Sequence, residues 1–294
     1  CCVTPFVWYE WTGAVYSGNN LHRNVIFDSS NVPYQPISFY EAPTRVELWE
    51  QLDQECLKDC NYMVIPHNSN LSNGFMFEKP NQDEIYLQNI REPLVEIFQH
   101  KGSSECAINS NDPLCSFEQL PYKDFKSKFS KDFSASPNSS FVRDALNQGL
   151  LIQAKENINP FKFGFIGSTD THLGTPGLVD EEVFPGHGGA GKSFRSSIPD
   201  GLPDDIEFNP GGLAVVWAEE NSRTSIFNAL KRKEVYGTSG PRFLVRFFLG
   251  EGLDTNLCDH PDAVSYAYKN GIPMGSTSGS NLMSKARLFI SASA

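Results

Sequence analysis

Glu10, His67, His100, Asp170 and His172 each stand at, or just past, the C-terminal end of a run that reads as a β-strand. Carboxylates and imidazoles grouped in this way are ligands for zinc, manganese or iron, and a carboxylate such as Glu10 can bridge two cations. Asp170 and His172 are two residues apart, so on an extended backbone they point the same way. Taken singly, each residue has a plainer reading. A lone histidine at a strand end is more often a hydrogen-bonded polar residue, a lone glutamate there is usually solvated, and Asp170-Thr171-His172 could be a turn with an Asx cap. What favours ligation is co-occurrence, because three of the six histidines and two carboxylates share one topological place. His22, Arg23 and Lys101 lie beside these residues and could hold a phosphate, against the plainer reading of ordinary surface charge. Glu219 and Glu220 follow another strand and could reach the same face, although helix-capping or solvated acids are the more common outcome.

The elements that must position these residues alternate between strand and helix. Strands are expected at residues 5–9, leading into Glu10, and at 24–27, 61–66, 94–99, 161–168 and 212–218. Helices are expected at 44–56, with Val46, Trp49 and Leu52 on one face, at 139–156, and at 222–233, where Lys231, Arg232 and Lys233 suit the helix dipole. This order predicts an α/β chain with a largely parallel sheet, whose C-terminal strand ends would gather the candidate ligands on one face. From residue 241 the character changes to a small β-rich appendage, with strands at 243–248 and 286–290, so the division expected is 1–240 and 241–294. Residues 179–210, rich in Gly, Pro and Asp, read as a long functional loop.

The bulk properties narrow the partners. The chain has 294 residues, 39% of them hydrophobic, and a formal net charge of −11. That acidity disfavours nucleic acid and anionic lipid as partners, and no stretch approaches the ~20 apolar residues of a membrane span. A small molecule is the expected partner; the oligomeric state is not legible. The seven cysteines admit two readings. Local disulfides, favoured for Cys106 and Cys115 across a polar loop, would suit a periplasmic or secreted setting, and reduced thiols would suit the cytoplasm. Cys56 and Cys60, four apart with no second cysteine pair, are a weak zinc signal.

The order Glu10, Ile65-Pro66-His67, Glu96-Ile97-Phe98-Gln99-His100 and Gly167-Ser168-Thr169-Asp170-Thr171-His172 resembles the later motifs of the PHP (polymerase and histidinol phosphatase) superfamily. More closely, the chain resembles a bacterial family described only as a domain of unknown function within or beside that superfamily. Residues 20–24, 66–70, 99–105 and 236–242 carry that closer match, which spans most of residues 6–248. The resemblance implies a distorted (β/α)7 barrel holding up to three divalent metals, zinc, manganese or iron. Glu10 would be the bridging glutamate, His67 and His100 the two mid-chain histidines, and Asp170 and His172 the closing D-x-H, with Glu10, Asp170 and His172 closest to the chemistry. The family opens with H-x-H and T-D-H motifs ahead of that glutamate. Only nine residues without histidine precede Glu10 here, and the chain opens Cys1-Cys2-Val3-Thr4 without a methionine. An N-terminally incomplete barrel is therefore expected, one that by itself binds divalent metal weakly and hydrolyses phosphoesters poorly or not at all.

The function so implied is hydrolysis of a phosphoester by a metal-activated water. Hydrolysis of another bond, an amide or sulfate ester, is the alternative among enzymes. A degenerate barrel serving as a binding or scaffold module is the alternative outside them. Residues 186–193, Gly-His-Gly-Gly-Ala-Gly-Lys-Ser, fit the P-loop pattern letter by letter, but no apolar strand precedes them and Pro199 and Pro203 follow, so nucleotide binding is not expected. His187 in that loop could act as an extra ligand or acid.

Overall fold

The computed structural model describes residues 3–15, 19–107, 110–116, 137–183, 210–279 and 285–293. The P-loop-like segment with His187, and most of the long Gly- and Pro-rich loop, lie outside the described residues.

The chain begins with a sheet ordered β1 (Val7–Trp11), β4 (Arg23–Phe27), β5 (Tyr62–Pro66), with the short strands β2 (Ala14–Val15) and β3 (Asn19–Asn20) forming a ribbon between the first two. Both pairings in the sheet are antiparallel. The expectation of a largely parallel sheet therefore fails here, for a simple reason. Only eleven residues separate β1 from β4, too little chain for the crossover that a parallel partner needs. Helix α1 (Arg45–Glu55) links β4 to β5. Thr44 caps it in a reciprocal capping box with Glu47, and Leu48, Trp49 and Leu52 bury into a cluster with Trp11, Val25 and Phe27.

Helix α2 (Gln82–Arg91), capped by Asn81 and Glu84, leads into β6 (Leu94–Gln99), which lies beside β5. Strand β7 (Gly102–Ser103) folds back on β6 as a hairpin. Helix α3 (Val142–Glu156) then returns the chain to β8 (Gly164–Gly167), which pairs in parallel with β6, the one parallel pairing among the described residues. Strand β9 (Leu213–Val216), helix α4 (Arg223–Arg232) and β10 (Val235–Thr238) follow, with β9 and β10 antiparallel and β10 packed against β8. Among the described residues the strand pairing forms separate small sheets and does not close into a barrel. Two long-range contacts tie the beginning of this body to its end: Thr4 Oγ1 donates to the Asn221 side chain at 2.8 Å, and Arg223 Nε to the Pro5 carbonyl at 2.9 Å.

The C-terminal part contains β11 (Leu244–Gly250), α5 (Ala263–Asn270), β12 (Ile272–Pro273) and β13 (Arg287–Ser293), in a sheet ordered β12-β11-β13. Phe248, Leu253, Leu257, Ala267 and Phe289 give it an apolar cluster of its own. Helix α5 is an element the sequence did not suggest. Cys56–Cys60 and Cys106–Cys115 are both disulfides, so the weak zinc signal at the first pair is replaced by a covalent staple.

Candidate metal centre

The first sheet brings three residues to one edge. Strands β1 and β5 run the same way and end there, delivering Glu10 and His67, while the antiparallel β4 between them starts there, one residue after His22. The His67 amide donates to the His22 carbonyl at 3.2 Å, which fixes the two imidazoles side by side with ring centres 5.6 Å apart. A single carboxylate oxygen, Glu10 Oε1, faces both rings: His22 Nδ1 at 2.9 Å and His67 Nε2 at 3.1 Å. One ligand atom from each of the three lies within 4.8 Å of the other two.

Burial and charge grade across this triad. His67 is 1% exposed, and its Nδ1 has no hydrogen-bond partner among the described residues; Glu10 and His22 keep a partly open edge. Burial alone would raise the Glu10 pKa, but hydrogen bonds from His22 and His67 outweigh it and hold the carboxylate well below its usual range. Burial keeps His22 below the ordinary histidine value. It would do the same for His67, but the Glu10 hydrogen bond and the charges of Glu96 and Asp170 raise that ring instead.

A second group adjoins the first. The ends of β6 and β8 deliver His100, Lys101 and Asp170, and their backbones interlock: Ser168 N donates to Phe98 O at 2.9 Å, and Gly212 N to Ser168 O at 2.7 Å. Gly211, at φ +91°, fits into this junction; a Cβ there would stand 2.7 Å from Ser168 O and 3.0 Å from His100 N, so no larger residue is accommodated. Asp170 itself is left-handed, at φ +53°. Lys101 Nζ donates to Asp170 Oδ2, and His100 Nε2 lies 3.7 Å from the same oxygen. Burial would raise the Asp170 pKa, but the Lys101 ammonium and His100 hold it well below the carboxylate range. Burial, with the Lys101 charge, brings the buried His100 down to about 4. His172 is exposed, and its charge is felt at His100.

All five sequence-selected ligands thus belong to one electrostatic neighbourhood, with His67 coupled to Asp170 and His100 to His172. Only Glu10 and His67 of the five share the compact triad. Its third member, His22, was expected beside a phosphate rather than among the ligands. Lys101 does face the site. Arg23 does not: it is 1% exposed, its Nε donates to buried Glu92 at 2.6 Å and its Nη1 to Leu21 O at 2.6 Å, so it is a core ion pair and not a substrate contact. Glu219 and Glu220 serve the start of α4, accepting from the Ser225 and Ser222 hydroxyls respectively.

Glu96 is the residue that sequence reasoning passed over. It is 2% exposed, accepts from Gln99 Nε2 at 2.9 Å and from Ser168 Oγ, and so binds together the two strands that carry His100 and Asp170. Burial raises its pKa against the pull of His67. Its signal was present in Leu-Val-Glu-Ile-Phe-Gln, where a carboxylate interrupts a strand whose other early positions are apolar.

Comparison with curated proteins and with solved structures found no match. The model of one family, described as "Protein of unknown function (DUF3604)", matches residues 2–294, and the chain belongs to that family.

Proposed function

We propose that this chain is a divalent-metal-dependent hydrolase of the PHP type that acts on phosphoesters. The observation that carries the proposal is the convergence of Glu10, His22 and His67 on a space small enough for one ion. Two imidazoles and a carboxylate are a set that zinc, manganese or iron accepts, with positions left for water or substrate. The buried His67 nitrogen without a hydrogen-bond partner among the described residues fits a histidine whose ring has work besides packing. Glu10, His22 and His67 would hold the ion, and Asp170, His100 and His172 would extend the site toward a second. A bound cation would acidify a water and draw charge from a phosphoryl oxygen.

The chain's own residues supply the rest. Glu10 and His22, at the open edge of the triad, leave a substrate room to approach. Lys101, anchored on Asp170, offers an ammonium to a phosphoryl oxygen as charge builds on it. Glu96 holds the two strand ends in register. The strand wall from β1 through β10 is read as part of a distorted PHP-like barrel. The two disulfides favour an oxidising, extracytoplasmic setting.

The test is metal content of the purified chain after loading with zinc or manganese, with a panel of phosphomonoesters and phosphodiesters assayed on the same samples. Saturable metal uptake, and slow turnover that requires the metal, are expected. A chain that takes up no metal overturns the proposal.

A further inference from the structure

The two halves of the candidate site stand on different sheets. His67 follows β5 in the sheet β1-β4-β5, whereas His100 and Lys101 form the tip of the β6–β7 hairpin in the sheet β7-β6-β8. Among the described residues no strand ladder joins β5 to β6, so something other than strand pairing must set the distance between the halves. Asn70 lies across that gap. Asn68, left-handed at φ +60°, turns the chain out of β5 into the short 3-10 turn Ser69–Leu71, which holds Asn70 close behind His67. The Asn70 amide donates to Ser104 Oγ at 3.2 Å, its side-chain Nδ2 donates to the Lys101 carbonyl at 3.0 Å, and its Oδ1 accepts from Ser104 Oγ at 3.0 Å. Ser104 is itself fixed on both sides: its amide donates to Ile97 O in β6 at 2.8 Å, and its carbonyl accepts from Val142 N, the first residue of α3, at 2.9 Å. Asn70 is 6% exposed and Ser104 2%, so solvent is a poor substitute for any of these bonds. Lys101 is thus gripped at both ends, at Nζ by Asp170 and at its carbonyl by Asn70.

We infer that Asn70 is a positioning residue, and that its side-chain bond to Lys101 fixes the span between the ion held by Glu10, His22 and His67 and the ammonium that meets the phosphoryl group. The inference rests on the phosphoester hydrolase proposed above. A phosphoryl group can engage a cation and an ammonium together only where the separation of the two is set beforehand, and such preorganisation strengthens a two-point contact by removing the cost of ordering it. Asn70 acts through the Lys101 main chain rather than on the phosphoryl group itself.

The experiment measures inorganic phosphate binding to the full chain, loaded with manganese, by calorimetry, with metal content determined on the same samples. It compares the wild type, Lys101→Met, Asn70→Ala and the double variant. Lys101→Met should weaken phosphate binding at least about tenfold, the worth of one hydrogen bond to a charged group. Asn70→Ala should weaken it by a similar factor while manganese uptake remains, and the double variant should be little weaker than Lys101→Met alone. An asparagine with a merely structural role would weaken phosphate equally with and without Lys101, so additive losses overturn the inference. Asn70→Asp keeps the acceptor for Ser104 Oγ and removes the donor to Lys101, and it carries the same cycle if the alanine variant does not fold. A loss in Lys101→Met with none in the Asn70 variant overturns the inference and leaves the hydrolase proposal standing. Loss of manganese along with phosphate in the Asn70 variant also overturns it, by placing Asn70 in the support of the triad. A metal-loaded wild type that binds no phosphate overturns the inference together with the phosphoester proposal, and phosphate binding that Lys101→Met leaves unchanged overturns it together with the phosphoryl role of Lys101.

Discussion

Replacing Arg23 with methionine should destabilise the chain by about 3–5 kcal/mol, far more than the loss of one surface ion pair, which is typically worth about 0–1 kcal/mol. The magnitude follows from burial. Arg23 and Glu92 are each 1% exposed at the side chain and meet at 2.6 Å. Gln88 Nε2 donates to the other Glu92 oxygen at 3.3 Å, and the Arg23 guanidinium also sits 5.7 Å from the Trp11 ring centre. Removing the arginine leaves a buried carboxylate with Gln88 as its one side-chain donor among the described residues and only the more distant Arg45 charge to balance it, and the penalty is chiefly that poorly compensated charge rather than the lost attraction. The double variant Arg23→Met with Glu92→Met removes both charges at similar volume and should recover most of the loss. The assay is urea unfolding of the wild type, both single variants and the double, with disulfides intact, treated as a double-mutant cycle. A single-variant loss below about 1 kcal/mol, or a double variant no better than the worse single, would refute the reasoning. Because Arg23 follows His22 directly, the single variant should also weaken metal uptake, and the double should restore it.

Glu10→Gln and His67→Ala should each abolish metal uptake at the triad, and Asp170→Ala should reduce metal content and turnover together; retained stoichiometry in these variants, read by elemental analysis, would remove the residues from the ligand set. Lys233 has its pKa lowered to about 8 from 10.5 by burial and by Lys162, so the unfolded chain binds the extra proton between those values and stability should rise as pH climbs from about 8 toward 10.5. Lys233→Asn, which keeps a residue suited to φ +64°, should flatten that slope when the variant's urea midpoints at several pH values are subtracted from the wild type's. Replacing Cys106 and Cys115 with serine opens a loop of sequence separation 9 and should cost about 2–3 kcal/mol, seen as a lower unfolding midpoint that reductant no longer changes at that site.

The sequence made the strand ends legible and the strand directions illegible. Residues 94–99 read as a strand because four of six are apolar, and β6 occupies those positions. Thr44 and Ser222 mark the starts of α1 and α4 by capping chemistry that any tertiary setting would keep. His22 was misjudged because it precedes a strand rather than following one. Only the antiparallel placement of β4 between β1 and β5 shows that this start lies with their ends. Arg23 looked like surface charge because its partner Glu92 is 69 positions away, and no local pattern announces such a pair. Helix α2 was legible in principle from Asn81 and Glu84, but its exposed face, with Tyr86 at 61%, blurs the apolar stripe.

The bond from Thr4 to Asn221 joins positions 217 apart in the chain. Contacts so distant in sequence form late, because a long loop must close before they contribute. During synthesis from the N-terminus, β1 can pair with β4 early, yet its leading end stays unanchored until α4 has emerged. Glu10 itself is braced early, opposite Asn24 in the β1–β4 ladder and against His22 and His67, while the end of β1 nearest Thr4 waits for α4. The triad can therefore assemble well before Asp170 and His172 are made, and until α4 emerges the outer strand β1 is an edge open to misassembly.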